Sequence, residues 1–208
     1  SHKQAKAYCE WLTRILNQVY QEDEKHPVYE LVVRLPNEEE WENAAKAGNP
    51  SAIFPWEGTK LRNQEKKYES NLMANFLRSK NQVNSTTDNI NKIMDVIAPA
   101  KSYWPNDFGL YCMSGNVAEM IDKPRRTKGG SWGSNPLFIE INSKDEFKGW
   151  EKPSPKIGFR YFIEIIEFKN KTKTKDIKIN AKYIESLLSK LTSESIYVGK
   201  FEVTNQLY

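Results

Sequence analysis

The side chains with the most chemical potential here are two cysteines, two histidines, a run of three glutamates and one late arginine. Cys9 and Cys112 are too few for a disulfide framework and do not indicate a redox compartment. Cys9 stands beside Tyr8 and Leu12 on an apolar helical face, where a free thiol reads as core packing; Cys112, between Tyr111 and Met113, reads the same way. His2 and His26 both read as surface side chains. Glu38, Glu39 and Glu40 open a helix, where acidic residues complement the dipole, and imply no paired catalytic carboxylates. Asp107 reads as the cap of its own turn, and Arg160 as a brace onto a carboxylate or carbonyls. Trp132 and Trp150 either floor a groove or anchor the core.

Positioning falls to residues 104–133, WPNDFGLYCMSGNVAEMIDKPRRTKGGSWG. Gly109 follows the turn-prone pair Asn106-Asp107, Gly115-Asn116 is a tight polar bend, and Gly129-Gly130 lets two segments approach closely before Trp132. This is a folded, loop-rich centre and not a linker. Upstream, residues 1–19 read as an amphipathic helix with Ser1 and Gln4 at capping-box spacing and Ala5, Tyr8, Cys9, Leu12, Leu16 and Val19 on its apolar face. Residues 28–35 read as a strand stopped at Pro36. Asn37 caps a second helix with Glu40 three residues on, Gly48 as its stop, and Trp41, Ala44 and Ala45 as its buried side. Periodicity is weak over residues 49–101, which predicts long ordered loops pinned by Phe54, Trp56, Phe76 and Trp104. Residues 129–132 and 157–166 read as strands closing the domain, with Trp150 anchoring the polar segment between them.

With 208 residues the chain can bury a sizeable core as one domain, or one plus part of another. Aromatics at 12% with six Trp suit a loop-rich domain with few long regular elements. No apolar run approaches the roughly 20 residues needed to cross a bilayer. The net charge of +4 comes largely from residues 169–182, KNKTKTKDIKINAK. That run lacks interleaved aromatics, so it reads as a solvated linker and not as a nucleic-acid patch. The organisation expected is a domain over residues 1–166, a Lys-rich linker over 167–181, and a short helix plus strand over 182–208.

The ordered motifs resemble a known family. PNDFGLYCMSGNVAEM, KGGSW and IGFR (residues 157–160) resemble the signature of formylglycine-generating-enzyme/sulfatase-modifying-factor domains. RLPNEEEWENAAKAG (residues 34–48) and FPWEG (residues 54–58) look like two further motifs of that family, in family order. The resemblance implies an α+β fold of the C-type-lectin-like, formylglycine-generating type, loop-rich with little regular secondary structure. It marks Arg34, Trp41, Trp56, Gly109, Gly115, Gly130, Trp132, Gly158 and Arg160 as structural motif positions. The end of the chain, SIYVGKFEVTNQLY (residues 195–208), resembles the segment with which family domains begin. It belongs either to a next repeat in a tandem array, the favoured reading, or to a permuted piece of the same domain.

The catalytic relatives use a copper-binding cysteine pair close before GFR, and residues 131–156 contain no cysteine. Related iron enzymes use three histidines, and this chain has two. No catalytic residue, copper site or iron site is therefore expected. The resemblance also implies calcium ligands at Asn116 and Glu119, with a second family site at Asn75 whose aspartate position is taken by Lys92, Asp88 and Asp95 being out of register. Among non-catalytic relatives, HKQAKAYCEW (residues 2–11), PNDFGLYCMSGNVAEM and the spacing of Pro55–Gly58 to Arg62-Asn63 resemble lipoproteins of Bacteroidota gliding motility and type IX secretion. The expectation is a structural or interaction module of an envelope, periplasmic or outer-membrane assembly. Its partners would be other subunits or copies of itself, and its membrane contact an anchor outside this chain. The alternatives are a lectin-like receptor using residues 135–156, or a residual formylglycine-generating oxidase.

Overall fold

The computed structural model describes residues 1–21, 29–69, 71–78, 96–167, 188–190 and 196–199. Helix α1 (His2–Gln21) starts where Ser1 Oγ meets the Gln4 amide N at 3.4 Å and Gln4 Oε1 at 2.9 Å. Its apolar stripe lies on strand β1 (Tyr29–Arg34), with Ala5, Cys9, Leu31, Val33 and Ile163 in one buried cluster. Leu12 and Leu16 pack against that cluster.

β1 is an edge strand, and edges expose unpaired backbone groups. Here α1 satisfies them with polar side chains. Asn17 accepts from Leu31 N at 2.8 Å and donates to Leu31 O at 2.7 Å, and Thr13 Oγ1 accepts from Val33 N at 2.9 Å.

Helix α2 (Glu38–Lys46) has both halves of its capping box, Asn37 Oδ1 accepting from Glu40 N and Glu40 Oε2 accepting from Asn37 N. It ends on Ala47 at φ 48° and Gly48 at φ 88°. Trp41, Ala44 and Ala45 are fully buried against Leu110, Met113, Phe162 and others. Arg34 ties β1 to this helix, with Nη1 and Nη2 on Glu40 at 2.8 and 2.7 Å and Nε on Glu164 at 2.9 Å.

No helix or strand forms among the described residues between α2 and β2; residues 49–69, 71–78 and 96–117 are ordered loops with one isolated bridge, Arg62 to Leu72. Phe54 and Phe76 are buried in their cluster, while Trp56 packs on its edge. Trp104 is 37% exposed, so it is not the buried pin the sequence suggested.

Two small sheets follow. Strands β2 (Ala118–Met120), β3 (Thr127–Lys128) and β4 (Ile157–Phe159) form one in the order β3-β2-β4, with β2 and β4 parallel. The other runs β1-β5-β7-β6, from β5 (Phe162–Glu167), β6 (Leu188–Lys190) and β7 (Ile196–Gly199).

Four expectations are corrected. Residues 129–132 are not a strand, because Gly129 and Gly130 turn at φ 85° and 65°; the strand stops at Lys128. Residues 157–166 are two strands in different sheets, broken at Arg160-Tyr161. Leu188–Lys190 pairs with β7 and is a strand where a helix was expected; the rest of that expected helix lies outside the described residues. Trp150 is 50% exposed and anchors nothing large.

The segment that resembles a family opening enters the main sheet of this same chain. β7 runs antiparallel to β5, Phe162 opposite Val198 and Glu164 opposite Ile196, and Val198 is fully buried.

Candidate functional site

The centre of the molecule is a buried ion pair reached from five directions. β2 carries Glu119 and the β4–β5 junction carries Arg160, at 1% and 0% side-chain exposure. Arg160 Nη2 donates to Glu119 Oε1 at 2.7 Å and Nε to Oε2 at 3.1 Å. Trp41 Nε1, from α2, donates to the same Oε2 at 2.7 Å. Arg160 also donates from Nη1 to Gly199 O of β7 at 2.6 Å and from Nη2 to Tyr111 O at 2.8 Å. The guanidinium fork matches a carboxylate on one side and carbonyls on the other, which lysine could not do. Gly158 stands opposite Glu119 in the parallel register.

Beside this pair, the Gly115-Asn116 bend docks on Asn75. Asn116 sits at φ 60°, a left-handed conformation that Asn tolerates. A Cβ on Gly115 would stand 2.2 Å from Asn75 O, which explains the glycine. Asn116 N donates to Asn75 O at 2.8 Å. Asn116 Oδ1 accepts from Ala98 N at 2.8 Å and from Asn75 Nδ2 at 3.2 Å, and Asn116 Nδ2 donates to Ala98 O at 3.2 Å. At the Gly129-Gly130 pair, a Cβ on Gly130 would lie 2.7 Å from Phe138 O.

These contacts decide how calcium fits. Calcium takes six or more hard oxygens, several of them anionic. Both oxygens of Glu119 face the Arg160 guanidinium and an indole N–H, so a second cation there would meet a buried positive charge. Asn116 Oδ1 is turned toward two N–H donors. Asn116 and Glu119 therefore do not converge on one ion site. Asn75 differs: its Oδ1 is buried and accepts no hydrogen bond from the described residues. Lys92, Asp88 and Asp95 lie outside the described residues.

The thiols do not fit a copper pair. Cys9 packs with Ala5 and Leu31, whereas Cys112 packs with Tyr103 and Ile139 in a separate cluster. Burial, helped by Glu10, pushes the Cys9 thiol up to about 12, so it stays protonated at neutral pH. Cys112 sits at φ 54°, a position suited to Asn or Asp, and its Sγ lies 3.4 Å from Ala100 O. Burial also raises the Tyr103 hydroxyl above its usual range, Cys112 adding to the rise and Arg78 opposing it. His2 is half-buried and meets Ile121 O at 2.9 Å, so it pins the start of α1 to the end of β2 and is no free surface residue. His26 lies outside the described residues.

Two further networks escaped the sequence. Asp145 accepts from Thr127 N at 2.9 Å, Thr127 Oγ1 at 2.7 Å and Arg126 Nε at 3.1 Å. Lys128, 3% exposed, pairs with Glu42 at 2.7 Å and lies 5.9 Å from the Trp41 ring centre. Neither spacing is local, so no pattern in the chain announces it. The turn at residues 106–110 is held by Asn106 and not by Asp107: Asn106 Oδ1 accepts from Phe108 N and Leu110 N, and Nδ2 donates to Ala44 O. Trp132 neither floors an open groove nor fills the core; it is half-buried under Lys156, whose Nζ lies 4.9 Å from its ring centre.

Comparison with known proteins agrees with this architecture. The profile of the sulfatase-modifying factor enzyme 1-like domain matches residues 1–165. The chain is 31% identical over 119 residues to the formylglycine-generating enzyme of Mus musculus, covering 57% of this chain and 24% of that protein. It is 29% identical over 119 residues to the formylglycine-generating enzyme of Bos taurus, with the same coverage of each. The chain thus spans about a quarter of the length of the curated relatives it matches. The chain belongs to the sulfatase-modifying factor enzyme 1-like family and has that family's formylglycine-generating-enzyme fold, a mixed α/β architecture with little regular secondary structure.

Proposed function

We propose that this domain is a non-catalytic structural or interaction module of a bacterial cell-envelope assembly, such as gliding motility or type IX secretion. Its partners are other protein subunits and copies of itself, it has no nucleic-acid role, and it reaches the membrane through an anchor outside this chain. The observation that carries the non-catalytic part of the reading is the state of its thiols. The only two are packed in separate apolar clusters, and Cys9 is held protonated by burial. A cysteine-pair oxidase needs two accessible thiolates at one place. The carboxylate at the centre, Glu119, is likewise engaged by Arg160 and Trp41.

The names of the mouse and bovine relatives favour a second reading, a formylglycine-generating oxidase that converts a peptidyl cysteine to an aldehyde. One experiment separates the two. The protein is incubated aerobically with copper, a thiol reductant and a cysteine-containing peptide, and the peptide is read by mass spectrometry. In parallel, the tagged protein is cross-linked in its own envelope fraction and its partners identified. The proposal expects unchanged peptide and recovery of envelope subunits. Aldehyde formation that is lost in Cys112→Ser sinks it, as does an absence of specific envelope partners. A calcium contribution would rest on Asn75 Oδ1. Thermal melting in calcium and in EGTA tests it, and an unchanged melting temperature refutes it.

A further inference from the structure

A groove of about 710 Å³ opens between the end of α2, the loop of residues 52–65 and residues 104–107. That volume falls within the roughly 300–1,000 Å³ of small-molecule sites. Two indoles line it. Trp56 stacks on Phe54 with ring centres 4.7 Å apart and planes 2° apart, and its Nε1 donates to Lys60 O at 2.9 Å. Stacked on one side and bonded at its edge, this ring is fixed before any ligand arrives. Trp104 is 37% exposed and braced by the Tyr68 ring at 5.4 Å and 63°. Both loops are themselves tied down: Trp56 by Lys60, the 63–65 turn by Asn63 Oδ1 accepting from Glu65 N, and the 106–110 turn by Asn106.

The polar lining is formally neutral. Lys46, Lys60 and Arg62 face Glu57, Glu65 and Asp107. That balance favours neither a phosphate nor a basic segment, each of which calls for one sign of charge. The side chains of Glu57, Lys60, Gln64 and Asp107 form no hydrogen bond or ion pair with the described protein. They include a carboxamide, which donates and accepts, next to carboxylates that only accept and an ammonium that only donates. A rigid aromatic floor with a neutral rim of mixed donors and acceptors matches one chemistry well. A pyranose ring offers an apolar C–H face to stack on an indole, and hydroxyls that donate and accept at its edge.

We propose that this groove binds a neutral, extended oligosaccharide, with sugar rings stacked on Trp56 and Trp104 and hydroxyls held by Gln64 and Asp107. The preformed ring positions reduce the ordering cost of binding. The assignment goes beyond the envelope reading and does not depend on it.

The test uses the whole chain and a panel of neutral hexasaccharides: cello-, chito-, xylo-, manno- and maltohexaose. Each is titrated while amide resonances and tryptophan fluorescence are followed. At least one should give saturable shifts confined to residues 52–65 and 104–107. Trp104→Ala should weaken that binding about tenfold, the scale of one aromatic contact, and Gln64→Ala should weaken it less. Trp150→Ala, which alters an exposed indole outside this groove, should leave binding unchanged. The melting curve of each variant confirms folding. Absence of saturable binding by every panel member overturns the proposal, and so does full affinity in folded Trp104→Ala.

Discussion

Neutralising one member of the Glu119–Arg160 pair should be among the most damaging single changes available to this domain. Both side chains are essentially without solvent contact. Glu119→Gln keeps an acceptor for Trp41 Nε1 but leaves the buried guanidinium without its counter-charge, at a cost of about 3–5 kcal/mol. Arg160→Met has the same electrostatic cost from the carboxylate side. It also strands the carbonyls of Tyr111 and Gly199, each worth a further ~1 kcal/mol or more. Against a total stability of about 5–15 kcal/mol, Arg160→Met should leave the domain marginal. The double variant Glu119→Gln/Arg160→Met buries no charge, so its loss should fall short of the summed single losses by roughly 1–3 kcal/mol. Urea unfolding followed by tryptophan fluorescence reads these differences from the midpoint and slope. Losses that simply add, or a Glu119→Gln variant within about 0.5 kcal/mol of wild type, would refute the reasoning. Repeating the titrations in calcium and in EGTA adds a check. Calcium that stabilises the wild type and not Glu119→Gln would show the carboxylate serving a metal instead of Arg160.

Three other outcomes are expected. Cys112, at φ 54°, should accept Asn with little loss or a small gain, whereas β-branched Val should be worse than Asn by at least about 1 kcal/mol in the same unfolding assay. For Glu40, burial raises the pKa, but hydrogen bonds from Arg34 and the Asn37 backbone overcome it and leave the folded value below the ordinary carboxylate range. A depressed folded value contributes stability above the unfolded pKa of about 4.3, lost as pH falls through the folded value. Wild type should therefore lose stability below about pH 5 more steeply than Glu40→Gln, and parallel profiles would contradict the assignment. Removing residues 196–208 takes away buried Val198 and the Gly199 acceptor, and should cost about 3 kcal/mol or more. An unchanged urea midpoint would mean that β7 adds nothing to this sheet.

What the sequence made legible is local. The limits of α2 follow from a capping box written three residues apart, Asn37 and Glu40, and from the stop at Gly48. The side of α1 that faces β1 follows from helical periodicity, and the Gly115-Asn116 bend follows from the turn those residues favour. What stayed hidden depends on partners distant in the chain. FRYFIEIIEF carries β-branched and aromatic residues throughout, so nothing in it marks the break at Arg160. The break arises because the side chain turns inward to Glu119, 41 residues earlier, while β4 pairs with β2 and β5 with β1. The polar Thr13 and Asn17 look like ordinary flank residues of α1, yet they satisfy the backbone of an edge strand. Asn106 and Asp107 are equally good turn formers in composition. Only the packing of α2, whose Ala44 carbonyl needs a donor, selects the amide over the carboxylate.

Glu119 shows why a motif match alone could not assign its role. A carboxylate on a short strand just after a Gly-Asn bend serves a calcium ion or a guanidinium with the same two oxygens, and the local sequence is indifferent between them. The decision lies with Arg160, and Arg160 in turn depends on an acceptor from β7. A domain with two small sheets and long loops has few backbone ladders to hold its parts in register. A single buried side chain bonded to β2, to the loop at Tyr111 and to β7 performs that task, while Trp41 joins α2 to the same carboxylate. Such a centre should tolerate single charge changes poorly. It also makes the β7 segment part of the central network, because without Gly199 O the guanidinium loses one of its acceptors.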